Sequence, residues 1–500
     1  MTLAESEGFL FSVRVCGVRG VRSQWECIVT GYAVEIHEIH TVRWKMRRGK
    51  YTVSRIIATV GDMTETQRAP EGLSSKPRIR PAEAGETRPL SISARLGRLQ
   101  FHTSGKFRVL QVADIQAGAK VAKDTIRLIG ASLDAVRPDL VVFTGNQIAG
   151  YDPAFAPTFR KRRWSPANEF DDADAAAEAM SRTRDLVQSA IGQFLQPLID
   201  RKVPFAVTYG NHDFQCGLDN AELDAIYRGF PGCVNPTPGV EADVLPVDSL
   251  LHDQVVYPHA VGTFALPVAD PDNKRTVLGL VILDSGDYVH GGGFSGPSED
   301  TLGFLREVPR LIGAKSGVFQ HLPLPEYYGL LKPVSSTTAY AMQGYRGHAS
   351  QYYVLDEEKV RPGGYLGEGI SCPDESDEFA ILSERDATDA PLYIGVATGH
   401  DHRNGFVGEL DGVLMTATPT CGFDTYGPAP AKRATRLIEF DIRHPYEPRT
   451  QLLEFGELVG KPSSKKAYTY ALNAKPPQEG EGDDLLRKPS LWAQIKGLFS

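Results

Sequence analysis

The chain has 500 residues, of which 41% are hydrophobic, 23% charged and 9% aromatic, a mixture that excludes a disordered chain, a fibrous repeat and a disulfide scaffold. Fifty-four Lys and Arg stand against 62 Asp and Glu, for a formal charge of −8, so electrostatics gives no general reason to expect a nucleic-acid partner. No apolar run approaches the ~18–20 residues that cross a bilayer, and the six cysteines form no C-x-x-C pair; the chain reads as a soluble, cytoplasmic protein without a structural zinc site.

Residues 1–62 carry strand-like pieces at 12–15, 27–36 and 51–60 and a basic cluster at 43–48, which reads as a solvated face. His37 and His40 share helical spacing there but have no third ligand. Residues 63–88 hold Pro70, Pro77 and Pro81 among Gly, Ser and charge, the texture of a linker. Regular patterning fills 89–460. Beyond it, 461–500 has the composition of a flexible, solvated tail that ends in a short amphipathic stretch at 491–499.

Within the regular part, apolar strands and amphipathic helices alternate. A strand over 107–113 ends in Asp114, and a helix over 123–136 has Ile126, Ile129, Leu133 and Val136 on one face before Pro138 stops it. The run 140–143 is a fully buried strand leading to Thr144 and Gly145. A long helix pattern covers 172–200, and a further strand at 205–208 runs into Gly210. Later strands fall at 277–283, 316–319, 392–397 and 413–416, closer together and more antiparallel in character. The pattern predicts an α/β fold with helices packed outside its sheets.

The unusual polar residues sit at strand ends. Asp114 and Gln116 follow the first strand, Asn146 and Gln147 the second, and Asn211, His212 and Asp213 the third. His321 follows another, and His400, Asp401 and His402 follow the strand before Gly399. Loops at the C-terminal ends of strands converge on one crevice in an open α/β sheet. Amide, carboxylate and imidazole groups delivered there suit Mn, Fe, Zn or Mg ions in a hydrolytic site. Gly145, Gly210 and Gly399 precede them, where the chain must turn sharply. Taken singly, each residue has a plainer role: Asp114 could cap a helix, and His212 with Asp213 could be a surface pair. The cluster Arg160-Lys-Arg-Arg-Trp164 is a solvated turn or, beside the crevice, an attractor of phosphate. It is the one basic patch that a nuclease reading could use.

The blocks 113–116 (ADIQ), 143–147 (FTGNQ), 209–213 (YGNHD), 319–326 (FQHLPLPE) and 398–402 (TGHDH) resemble the calcineurin-like metallophosphoesterase superfamily, in its order. The strand at 281–288 and the Pro-Leu-Pro-Glu-Tyr run resemble its purple-acid-phosphatase-like subgroup, and the likeness covers roughly 105–445. It implies two mixed β-sheets packed face to face and flanked by helices, with two divalent ions at one edge. By the resemblance, Asp114, Gln116 and His402 would hold the first ion, Asn211, His321 and His400 the second, and Asn146 would bridge them. His212, kept off the metals by Asp213 or a similar partner, would contact the phosphoryl oxygen or protonate the leaving group. A metal-bound hydroxide would then attack a phosphomonoester or small phosphodiester, whether a small molecule or a phosphoprotein.

Two positions depart from that pattern: Gln116 stands where the family has His, and Asn146 where it has Asp. An amide oxygen at 116 favours harder ions such as Mn or Mg. At 146 the loss of a carboxylate leaves Asp114 as the single anionic ligand, so the first ion should bind weakly and the second site is the better preserved. A family member that binds a phosphorylated ligand without turnover is therefore the competing expectation.

Overall fold

The computed structural model describes residues 88–237, 243–463 and 485–486, and, in backbone only, four short strands near the start of the chain. The chain divides into two units, Met1–Leu73 and Ser74–Ser500. The first contains two antiparallel pairs, β1 (Thr2–Leu3) with β2 (Phe11–Ser12) and β3 (Cys27–Val29) with β4 (Tyr32–Val34). The basic cluster at 43–48, His37, His40 and the stretch at 491–499 lie outside the described residues.

The second unit is built on two mixed sheets. The smaller comprises β5 (Lys106–Val112), β6 (Leu140–Thr144), β7 (Phe205–Thr208), β19 (Ala434–Asp441) and β20 (His444–Glu454), in the order β20-β19-β5-β6-β7. Its β5, β6 and β7 run parallel because helices cross between them: α2 (Lys123–Val136) between the first two and α3 (Ala173–Arg201) between the last two. Asp172 caps α3 by accepting from Ala175 N, and Arg137 and Lys202 end the two helices in the left-handed region.

The larger sheet has eight strands: β8 (Asp243–Val244), β9 (Val255–Ala260), β10 (Thr263–Ala269), β11 (Thr276–Ile282), β12 (Ser316–Phe319), β16 (Tyr393–Thr398), β17 (Phe406–Leu410) and β18 (Val413–Ala417). Strands β11, β12, β16 and β18 pair in parallel, and the outer strands close the sheet with antiparallel pairs. The helix α5 (Glu299–Ile312), capped by Ser298, crosses from β11 to β12. Between β12 and β16 the chain inserts a small antiparallel sheet of β13 (Leu331–Val334), β14 (Met342–Gln343) and β15 (Tyr352–Leu355). The antiparallel order expected of this region holds only at the two edges of the large sheet; the strands expected at 277–283, 316–319, 392–397 and 413–416 are β11, β12, β16 and β18, which pair in parallel.

Period-two alternation decides the layering. On β5, Phe107 and Val109 join Phe264, Leu280 and Phe319 in the core between the sheets. Leu110 and Val112 face the other way and pack with Leu128 and Leu133 of α2 and Ile191 and Leu198 of α3. On the far side of the large sheet, Val281, Val318 and Val396 pack against Leu305 and Val308 of α5. The fully buried Arg436 on β19 ties the two sheets: its guanidinium donates to Thr418 Oγ1 (2.8 Å), Thr450 Oγ1 (3.0 Å) and the Ala417 carbonyl (2.7 Å). Burial pushes its pKa down to about 10, so it stays charged at neutral pH on oxygen dipoles alone. Near the C-terminus, Leu485 N donates to the Tyr151 carbonyl (2.9 Å), which brings two tail residues against the loop after β6.

Candidate active site

Five strands deliver the nine residues singled out by the sequence: β5 leads to Asp114 and Gln116, β6 to Asn146, β7 to Asn211, His212 and Asp213, β12 to His321, and β16 to His400 and His402. The turns are tight. Asp114, Gln116, Asn146 and His400 all sit at positive φ (52°, 44°, 55° and 68°), where side chains other than glycine are strained. Gly145, at φ 94°, carries no Cβ because one would lie 2.7 Å from the His321 ring and 2.8 Å from Gly210 N. Gln116 N donates to the Asn146 carbonyl (2.9 Å), and His400 N to Asp114 Oδ2 (2.8 Å), so the loops of the two sheets hold one another.

Asp213 explains how these loops keep their shape. Its carboxylate accepts from three backbone amides, Asn146 N (2.7 Å), Gly210 N (2.8 Å) and Ile148 N (2.9 Å). Burial pushes it up to about 7, against the pull of those three amides. The partner of His212 is instead Gln215, whose Oε1 lies 2.8 Å from Nδ1 while its Nε2 donates to the Lys161 carbonyl (2.8 Å). The amide is thereby oriented oxygen-first, which makes His212 Nδ1 the donor and leaves proton exchange to Nε2.

Two groups of ligand-type atoms lie side by side. In one, His321 Nδ1 is 2.9 Å from the Thr144 carbonyl and so carries the proton. Burial pushes His321 down to about 4, so at neutral pH its Nε2 is a bare lone pair. That lone pair faces Asn211 Oδ1 (3.0 Å) and His400 Nδ1 (3.2 Å). Asn211 is turned oxygen-inward because its Nδ2 donates to the Tyr288 hydroxyl (2.6 Å). An amide oxygen against an imidazole lone pair is repulsive unless a cation or proton lies between them, and these donor atoms fit a divalent ion.

The other group does not fit one in the same way. His402 Nδ1 lies 2.9 Å from the Tyr426 carbonyl, and its Nε2 is 3.4 Å from Asp114 Oδ1, a fully buried oxygen without a hydrogen-bond partner. Burial would push the Asp114 carboxyl up, but His402, His321 and His400 outweigh that and hold it at about 2. Gln116, however, presents its Nε2 to His402 Nε2 (3.1 Å), while its carbonyl oxygen takes Thr425 Oγ1 (2.8 Å) and the Tyr151 hydroxyl. Asn146 does likewise: its Oδ1 accepts from His212 N (2.8 Å) and its Nδ2 donates to Asn211 Oδ1 (3.2 Å). At both altered positions an N–H thus points where an ion-binding oxygen or nitrogen was expected. Among the described residues no three His, Cys, Asp or Glu side chains converge to hold an ion, so amides would have to complete any ligand set.

Several neighbours had little signal in the sequence. Gln215, Thr425 and Tyr426 act through positions fixed by the fold, and no spacing marks them. Tyr288 closes the 281–288 block and also carries the Arg162 guanidinium 3.6 Å above its ring, so the basic cluster does reach the crevice wall. Arg163 pairs with Asp287 (2.6 Å), and Trp164 stacks on His290 (4.0 Å). His348 stacks on Tyr328 (3.7 Å).

Residues 107–277 match the family model for calcineurin-like phosphoesterases, a stretch that includes Asp114 to Asp213 and stops short of His321, His400 and His402. The chain is 24% identical over 392 residues to the probable inactive purple acid phosphatase 29 of Arabidopsis thaliana, covering 71% of this chain and 82% of that protein. It is 24% identical over 353 residues to the phosphatase DCR2 of Saccharomyces cerevisiae, of which the match spans about half (48%), and 64% of this chain. Among solved structures, a dimetal phosphatase from Danio rerio aligns over 70% of this chain and 99% of its own, at 13% identity and a TM-score of 0.35.

Proposed function

We propose that this chain, which carries a calcineurin-like phosphoesterase domain and is homologous to purple-acid-phosphatase-like proteins, hydrolyses a phosphomonoester with one divalent ion in place of the expected two. The observation that carries the reading is the meeting of Asn211 Oδ1, His321 Nε2 and His400 Nδ1 within 3.2 Å of one another's nearest atom, with no proton available on His321 Nε2 at neutral pH. These three residues would hold the ion, which when bound supplies Lewis-acid charge for the phosphoryl group. Asp114 remains ionised beside them.

The chain's own residues supply the rest. Tyr288 orients Asn211, Thr144 orients His321, and Gln215 orients His212 so that Nε2 can give a proton to the departing oxygen. The bond between a water oxygen and phosphorus forms as the ester P–O bond breaks; the electron pair leaves on the ester oxygen, which takes a proton from His212 Nε2, and the attacking water releases one proton to solvent, from which His212 is reprotonated, leaving an alcohol and inorganic phosphate. The second reading, a protein that binds a phosphorylated ligand without turnover, is favoured by the amide N–H groups of Gln116 and Asn146 directed at His402 and Asn211.

Native mass spectrometry of the Mn-loaded chain, run beside a 4-nitrophenyl phosphate assay, decides between them. One ion per chain, with turnover lost in Asn211→Ala and His400→Ala while circular dichroism is retained, is the expected result. Bound ion without turnover establishes the binding reading. Two ions per chain would refute the single-ion assignment.

A further inference from the structure

A second cavity, of about 500 Å³, lies one ring away from the ligand cluster, walled by Gly364, Tyr365, Arg403, Gly427, Pro428 and Lys432. None of the ligand-type residues of the crevice lines it. Hydrogen bonds fix its walls. Tyr365 N donates to the Gly405 carbonyl (2.9 Å) and Gly405 N to that of Tyr365 (3.0 Å), while Asn404 Oδ1 accepts from Gly367 N (2.9 Å) and Glu368 N (3.1 Å). Tyr426 joins the cavity to the cluster, since its ring stacks on His402 at 4.1 Å and lies 5.9 Å from the Arg403 guanidinium. The charges here are unbalanced. Lys432 Nζ is held by both oxygens of Glu454 (2.9 and 2.8 Å). The Arg403 guanidinium, by contrast, makes no hydrogen bond and no ion pair among the described residues, and its Nε is buried. Glu368 accepts from the Arg403 backbone amide (2.9 Å), not from the side chain. Beside Gly427 sits the fully buried Arg433, whose Nη2 would lie 3.3 Å from a Cβ on that glycine. Arg433 donates to the carbonyls of Gly422 and Thr425 and pairs with no carboxylate among the described residues. Burial lowers its pKa to about 10, so it too is charged at neutral pH.

We propose that this cavity is a second anion site, which takes a phosphate group on the Arg403 guanidinium. The inference goes beyond the phosphoesterase reading and does not depend on turnover. Three observations select the ligand. A guanidinium whose Nε and Nη groups have no acceptor presents two parallel N–H donors, the fork that matches two oxygens of one phosphate. Two arginines without carboxylate partners are best balanced by a dianion, and a phosphate monoester carries nearly two negative charges at neutral pH where a carboxylate carries one. A volume of about 500 Å³ also exceeds what a bare oxyanion fills and falls within the range of small-molecule sites. The phosphate is therefore best supplied by an organic ester, the rest of which would lie along Tyr365 and Pro428, with free phosphate as the other source of the same chemistry.

The test is isothermal titration of the full chain in chelator, where no metal ion is present to hold phosphate in the crevice. The probes are inorganic phosphate, glycerol 3-phosphate and glycerate. Glycerol 3-phosphate should bind at least about tenfold more tightly than glycerate, and Arg403→Gln should weaken both phosphates roughly 10–100-fold through the loss of charge-assisted hydrogen bonds. Ala429→Asp keeps the test decisive if Arg403→Gln does not fold. Ala429 is exposed at the rim of the cavity and caps the short turn Pro430–Lys432, a position that Asp favours, and the added carboxylate should weaken phosphate binding by a similar factor. Arg162→Gln, at the wall of the crevice, should leave it unchanged. Absence of phosphate binding to the wild type overturns the proposal. So does an affinity that survives in Ala429→Asp or in folded Arg403→Gln, or one that falls in Arg162→Gln, since each puts the anion elsewhere. Glycerate bound as tightly as glycerol 3-phosphate overturns the choice of phosphate. Glycerol 3-phosphate bound more tightly than inorganic phosphate assigns the site to an organic ester, and the reverse order assigns it to free phosphate.

Discussion

The substitution Asn146→Asp probes the reasoning about the altered ligands most directly, because it changes one NH2 group to an oxygen and almost nothing in volume. In the protein as it stands, Asn146 Nδ2 donates to Asn211 Oδ1 (3.2 Å), and the side chain is 1% exposed. In chelator the variant loses that bond and sets two acceptors against each other, at a cost of about 1–3 kcal/mol. The new charge is also buried beside the ionised Asp114, which adds to the penalty or forces the new carboxyl to stay protonated. With divalent ion the sign reverses. A carboxylate can bridge two cations, and a second ion present at a hundred times its Kd contributes about 2.7 kcal/mol of stability. The assay is urea unfolding of both proteins at pH 8, with chelator and with excess Mn, alongside native mass spectrometry. The variant is expected to unfold at lower urea than the wild type in chelator, to draw level or exceed it with Mn, and to carry one more ion per chain. Equal stability in chelator, or an unchanged ion count, would show that the amide at 146 does not stand in for a cation.

Three further outcomes follow from the geometry. Tyr288→Phe removes the acceptor that turns Asn211 oxygen-inward (2.6 Å); ion affinity by titration calorimetry should fall roughly 10–100-fold, and an unchanged affinity would sink the orienting role. Glu378 is buried and is pushed by burial from its ordinary value of 4.5 to about 8. Its folded state therefore holds a proton that the unfolded state releases, so its contribution to stability is full at low pH and is lost as pH rises between about 4.5 and 8. Glu378→Gln mimics the protonated acid and should flatten the decline of the urea midpoint across that window; an unaltered slope contradicts the assignment. Arg436→Ala strips donors from Thr418, Thr450 and the Ala417 carbonyl across the two sheets. It should cost about 3 kcal/mol or more, measured by the same unfolding experiment, and a loss under about 1 kcal/mol would mean that water replaces those donors readily.

Much of the fold was legible because strand and helix periods are local. The strands at 205–208 and 316–319 and the helix over 123–136 have the bounds that their apolar spacing predicts. Pairing was not legible: nothing in the run 434–441 says that β19 will lie antiparallel to β5, more than 300 residues earlier, and carry Arg436 between the sheets. Local patterning also cannot reveal the inserted sheet of β13, β14 and β15, whose strands are short and half-buried.

The same division runs through the site. Which residues stand at the ends of five strands could be read along the chain, as could the two amides, Gln116 and Asn146, at positions where imidazole and carboxylate were expected. Residue type fixes what a side chain can offer, and an amide offers either an oxygen or an NH2 group. Which end it offers was decided by tertiary structure alone. Thr425 and Tyr151 take the oxygen of Gln116, and His212 N takes that of Asn146, so both amides turn their N–H groups toward the ligand atoms. Tyr288 makes the opposite choice for Asn211. Those partners come from loops that are distant in the chain, and a hydrogen bond's direction exists only once both of its ends are in place.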